Sequence, residues 1–158
     1  MEMKNSGVQL TEDVIAEFEK EFNIMLPQDY RKFMLKNNGG KPVPVDRWNF
    51  SFIENGTDTM TDSIVSFFEK FYSEKTTKDD DLKEGYAALL RTEQIPANLL
   101  PIADDPFGNI IFLSAAGEDY GKVYFGNTEL EVPETGYIVM SPIADTFTEF
   151  MDKLYLSE

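Results

Sequence analysis

Beyond the helix-opening pair Glu12-Asp13, carboxylates adjoin one another at three places in this chain: Asp79, Asp80 and Asp81 in one run, Asp104 and Asp105 in a second, Glu118 and Asp119 in a third. Side chains of this type can coordinate a hard cation, act as an acid and base pair, or meet a cationic partner. Coordination asks for spaced ligands around a glycine, and no such loop follows Asp79 to Asp81, so that run reads as solvent-facing. Acid–base chemistry asks two carboxyls to face one cavity, whereas adjacent residues of a strand point to opposite faces. Asp105-Pro106-Phe107-Gly108-Asn109 is turn chemistry instead, in which Asp and Asn bond their own backbone. The partner role remains. All seven residues form the candidate contact set, because they cluster at turns, where recognition groups sit.

What is missing narrows the chemistry further. The chain has no His and no Cys, which removes Ser-His-Asp triads, Cys-His dyads, HExxH zinc sites, thiolate nucleophiles and disulfides. Gly108, Gly117, Gly121 and Gly126 match no nucleotide fingerprint and precede no helix with a Lys, so they read as turn residues. No cofactor and no metal is expected. Trp48 is the single Trp, and beside a strand it reads as core rather than as a ligand platform.

Charge sets the class of partner. The net charge is −15, from 29 acidic and 14 basic residues. Such a field repels phosphates, which argues against nucleic acid and anionic membranes, and it steers a basic protein inward. The same balance also serves solubility. No stretch approaches the ~18 apolar residues of a membrane span, and MEMKNSGVQL lacks the apolar heart of a signal peptide, so a cytoplasmic location is expected.

The elements that must position these groups are legible in part. With 158 residues, 42 % of them hydrophobic, the chain suits one domain able to bury about two thirds of its unfolded surface. Thr11 reads as an N-cap for a helix carrying Val14, Ile15, Phe18 and Phe22, with Leu10 and Ile15 stapling its entry and Asn23 breaking the pattern. Pro27 suits the first turn of a second helix. Tyr30, Phe33, Met34 and Asn37 share its face, and Asn38-Gly39-Gly40 stops it.

Trp48, Phe50 and Phe52 alternate as a strand, Asn55-Gly56 marks a turn, and Ser63 to Phe68 reads as the returning strand. Ser73 to Asp81 reads as a mobile surface loop into a helix with Leu82, Tyr86, Leu89 and Leu90 on one face. Leu100 to Ala103 and Ile110 to Leu113 form a hairpin. Lys122 to Phe125 and Tyr137 to Met140 add strands. A closing helix carries Ile143, Phe147, Phe150, Met151 and Leu154, and begins either at Ser141-Pro142 or at the Thr146-x-x-Glu149 capping box. The expected fold is α+β: a mostly antiparallel twisted sheet packed by two N-terminal helices and a C-terminal helix.

Three stretches also carry a resemblance. LP-x-D-Y-x-x-F-x-x-x-N-x-G-G from Leu26 to Gly40, LLPIA-x-D-x-x-G-N from Leu99 to Asn109, and G-x-V-Y-F from Gly121 to Phe125 resemble the SUKH superfamily, which includes yeast cell-wall glucan-synthesis regulators and many bacterial immunity proteins. IADTFTEFMDKL resembles its terminal helix. Tyr30, Asn38, Gly39, Gly40, Gly108 and Phe147 occupy matching positions, and each is by its chemistry a packing or turn residue. The region Glu69 to Arg91 departs most.

The resemblance implies one SUKH-like (SMI1/KNR4) domain over residues 1–158 that binds protein and catalyses nothing. It implies an immunity protein that neutralises a bacterial toxin, a basic nuclease by the sign of the charge, by stoichiometric binding. A scaffold of the cell-wall regulator type is the alternative, and a carboxylate enzyme the third reading, with no Asp/Glu pair whose spacing demands chemistry. The expected state is a monomer or a weak homodimer.

Overall fold

The computed structural model describes residues 1–54, 57–71 and 81–156. Strand β1 (Glu2–Lys4) leads to α1 (Glu12–Phe22), whose cap is the expected one: the Thr11 side chain accepts the Val14 N–H, and Asn23 closes the helix in the left-handed region at φ 53°. Ile15 and Phe18 are buried, while Val14 is exposed. Helix α2 (Gln28–Lys36) starts after Pro27 and buries Tyr30 and Met34.

Its end comes one residue earlier than Asn38, at Asn37, whose N–H reaches the Phe33 carbonyl. Asn38 is a structural pin instead. Its amide donates to the carbonyls of Val8 and Phe71 and accepts the Phe71 N–H. Gly39 holds φ 63°, and a Cβ there would lie 2.5 Å from the carbonyl oxygens of Phe68 and Glu69, so only glycine fits.

Strand β2 (Lys41–Val43) pairs with β1, while β3 (Val45–Glu54) and β4 (Thr57–Ile64) form a long antiparallel hairpin. Its Asn55-Gly56 connection and the Phe52 side chain lie outside the described residues. The expected strand over Ser63 to Phe68 is two strands: β4 ends at Ile64, and β5 (Phe67–Phe68) joins a different sheet beside β6 (Leu99–Asp104). A short run without Gly, Pro, Asn or Asp gives no sign of where pairing partners change.

Helix α3 (Leu82–Arg91) lies against β6, which pairs with β7 (Ile110–Ser114), then β8 (Val123–Glu131) and β9 (Ile138–Ala144), completing an antiparallel sheet of order β5-β6-β7-β8-β9. Leu99 to Ala103 and Ile111 to Ser114 are buried at every position, as strands covered on both faces must be. Ser141-Pro142 and Ile143 belong to β9, where an edge strand tolerates the proline, so α4 (Phe147–Asp152) starts at the capping box: Thr146 accepts the Glu149 N–H, and Glu149 accepts that of Asp145. Strand β10 (Tyr155–Leu156) returns to β3, giving a third sheet, β10-β3-β4.

One aromatic chain joins helices to sheets. Phe147 packs on Tyr30 and Phe33 at centroid distances of 5.2 and 5.1 Å, Phe33 on Phe68 at 5.2 Å, and Phe150 on Trp48 at 5.8 Å. A second group, Phe18, Phe22, Phe71 and Tyr86, seats α1 against α3. The architecture is α+β and antiparallel.

Candidate functional site

Each adjoining carboxylate pair is split by the backbone that carries it. Asp105 closes the β6–β7 turn: its Oδ1 accepts the N–H groups of Phe107 and Asn109, both at 2.8 Å, and its Oδ2 accepts the Asn109 side-chain amide at 3.2 Å and the Ser63 hydroxyl at 3.4 Å. That carboxylate is buried, with its acceptor positions filled from within. Asp104, one residue earlier in β6, is half-buried and faces a cavity of about 410 Å³ between α3 and the hairpin.

Two further carboxylates, Glu69 and Asp81, line that cavity, together with apolar walls from Leu82, Leu89, Pro101 and Ile110. Asp81 is also the N-cap of α3, where its Oδ1 accepts the Lys83 N–H at 3.0 Å. Asp79 and Asp80 lie outside the described residues. Among the described residues no group of three or more Asp and Glu is placed to hold a metal ion.

The third pair divides the same way. Glu118 is exposed, whereas Asp119 is half-buried and accepts from the Asn98 amide at 3.1 Å, the Ser114 hydroxyl at 2.8 Å and the Tyr124 hydroxyl at 2.7 Å. Burial, reinforced by the Asp119 carboxylate, pushes the Tyr124 phenol up to about 12. Asp119 therefore ties the β7–β8 turn to both strands. The turns bearing Asp105 and Glu118 stand at opposite ends of β7, roughly 17 Å apart at ~3.3 Å per residue. The contact set thus occupies at least two regions, with Asp81 and Asp104 meeting at the cavity.

Two features lay beyond sequence reasoning. Glu69 reaches the cavity of Asp81 and Asp104 only because β5 pairs with β6. Phe107 stands 78 % exposed at the tip of the turn that Asp105 holds; an aromatic inside a Pro-x-Gly turn was the available signal. Elsewhere, carboxylates serve as braces. Arg31 bridges Glu12 and Glu19, Glu19 also accepts the Leu26 N–H at 2.7 Å, and Asp29 accepts both the N–H and the hydroxyl of Thr148. Among the described residues no helix is long and apolar enough to cross a membrane.

Comparison with known proteins identifies the lineage. The family described as SMI1 / KNR4 (SUKH-1) matches residues 9–153. A relative, the SPbeta prophage-derived uncharacterized protein YokK of Bacillus subtilis (strain 168), is 27 % identical over 161 residues, covering 91 % of this chain and 74 % of that protein.

Proposed function

The chain belongs to the SMI1/KNR4 family (SUKH-1), and from that premise we propose that it is a non-catalytic, immunity-type binding protein that neutralises a bacterial toxin by stoichiometric occupation. The family match, spanning nearly the whole chain, is the observation that carries this reading. The chemistry supports it: a chain without His or Cys offers no common general base or thiolate, and its more buried carboxylates Asp105, Asp81 and Glu19 hold a turn, a cap and a brace. The toxin is a basic nuclease domain. Such an enzyme must present cations to its phosphate substrate, and a surface at net charge −15 competes for the same groove while excluding substrate by bulk. Carriage of a relative by a prophage suits a defence factor that travels with mobile DNA. The protein acts in the cytoplasm, where the nuclease finds its substrate.

Stoichiometry separates this reading from an enzymatic one. The product of the adjoining gene is induced in a bacterial host with and without this chain, and the purified pair is titrated against nucleic-acid cleavage. Growth arrest by the neighbour alone, rescue by co-expression, and loss of cleavage at an equimolar endpoint are expected. Protection at a small fraction of equimolar would mean turnover, and a harmless neighbour would remove the toxin.

A further inference from the structure

We propose that the β6–β7 turn is the docking element of this protein, with Phe107 seated in an apolar recess of the partner that is bordered by lysine or arginine. This deepens the reading above and takes its basic partner from it. Phe107 is the most exposed of the large hydrophobic side chains among the described residues, at 78 %. A lone exposed apolar residue is ordinary on a protein surface. What sets this one apart is how the backbone beneath it is held.

The Phe107 N–H and the Asn109 N–H both end on the buried Asp105 carboxylate, and the Asp105 N–H returns to the Asn109 carbonyl at 3.0 Å. The far side of the turn is tied to β8, where the Thr128 N–H donates to Asn109 Oδ1 and the Thr128 hydroxyl to the Gly108 carbonyl. An aromatic ring with two rotatable bonds, carried on a turn already fixed from both sides, loses little freedom on binding. That is the arrangement of a binding anchor.

The ground beside the ring sets the sign of the partner. Gly108 and Ile110 of the same hairpin line the cavity that Glu69, Asp81 and Asp104 also line. A partner that covers Phe107 brings its own surface against those walls, and acidic groups there repel a like-charged face and attract a basic one. A second copy of this chain is disfavoured on the same ground, since it carries −15 against −15.

The test places the photoreactive analogue p-benzoylphenylalanine at position 107, and separately at exposed Val14 on α1, in the full chain expressed in its source cells. Adducts are identified by mass spectrometry, and the captured protein is then purified for binding to the native chain and to Phe107→Ala, with thermal unfolding of both. The expected result is an adduct from position 107 to a basic protein, none to that protein from position 14, and a loss of at least about tenfold in affinity for Phe107→Ala with its melting temperature unchanged. No adduct at 107, an adduct only to another copy of this chain, or unchanged affinity of Phe107→Ala would each overturn the proposal. The toxin reading fails separately: if the captured basic protein is harmless to cells, the docking element stands and the toxin does not.

Discussion

Replacing Asn38 by Ala tests how this fold ties its N-terminal segment to its sheet. Asn38 is 2 % exposed, and its amide bonds the Phe71 N–H at 2.7 Å, the Phe71 carbonyl at 3.1 Å and the Val8 carbonyl at 2.9 Å. Val8 is half exposed, so water can replace its bond at little cost, but Phe71 is buried and both its backbone groups lose their partner. A stranded buried N–H costs about 1–3 kcal/mol and a lost carbonyl bond about 1, so a total of about 2–4 kcal/mol is expected. Urea unfolding followed by Trp48, the single and fully buried Trp, reads this out. With a slope of about 2 kcal/mol/M the midpoint should fall by roughly 1–2 M.

Asn38→Asp supplies the control. A carboxylate keeps the Phe71 N–H bond but confronts two carbonyls without a proton to give, so its pKa is raised in the fold. The native state then holds a proton that the unfolded chain releases, and stability falls as pH rises above about 4, relative to Asn38→Ala, which has no such slope. A loss below ~1 kcal/mol for Asn38→Ala, or parallel pH profiles for the two variants, would refute the pinning role.

Phe147→Ala should cost about 3–5 kcal/mol in the same assay, because the ring is buried against Tyr30, Phe33 and Phe68, and a cost below ~1 would contradict that packing. Tyr86 is pushed up to about 12 by burial, and Tyr30 is raised further by burial and by the charge of Glu69. Each phenol therefore favours the folded state below about pH 10, and that contribution is lost as pH rises through the folded value. Near-ultraviolet absorbance should show Tyr30, Tyr86 and Tyr124 ionising only with alkaline unfolding; ionisation of all seven tyrosines near pH 10 in the folded protein would be the contrary result. Association with the toxin should slow steeply as salt is added, and a triple Asp79, Asp80 and Asp81 to Asn variant should start slower and respond less, its helix cap preserved because Asn caps as well as Asp. A rate flat in salt would leave the charge to solubility.

Local chemistry was readable where the signal is local. Thr11 and Asn23 bound α1 as their side chains dictate, and Asp105 serves the turn its neighbours advertise. Strands β1 and β10 were not readable: two or three residues carry no period, and the partner that makes Tyr155–Leu156 a strand is β3, far from it in sequence. The cavity was invisible for the same reason. Glu69, Asp81 and Asp104 have no telling spacing, and they meet through the pairing of β5 with β6 and the seat of α3.

The structure also separates two uses of negative charge that the sequence presents as one. Glu19, Asp29, Asp81, Asp105 and Asp119 are held by N–H and O–H donors within the fold, so what each contributes there is acceptor capacity at a fixed place. Each of them still counts in the net charge of −15 that sets the long-range field. The field is thus a sum over many residues that no single substitution can abolish, whereas contact energy at an interface is concentrated in a few anchored side chains. On the proposed reading the two should separate in kinetics. Neutralising surface carboxylates should lower the association rate and its salt dependence, with dissociation little changed. Phe107→Ala should leave association near its native value and speed dissociation. If instead Phe107→Ala slowed association with dissociation untouched, the turn would be guiding encounter rather than holding the complex, and the anchor would lie elsewhere on the surface.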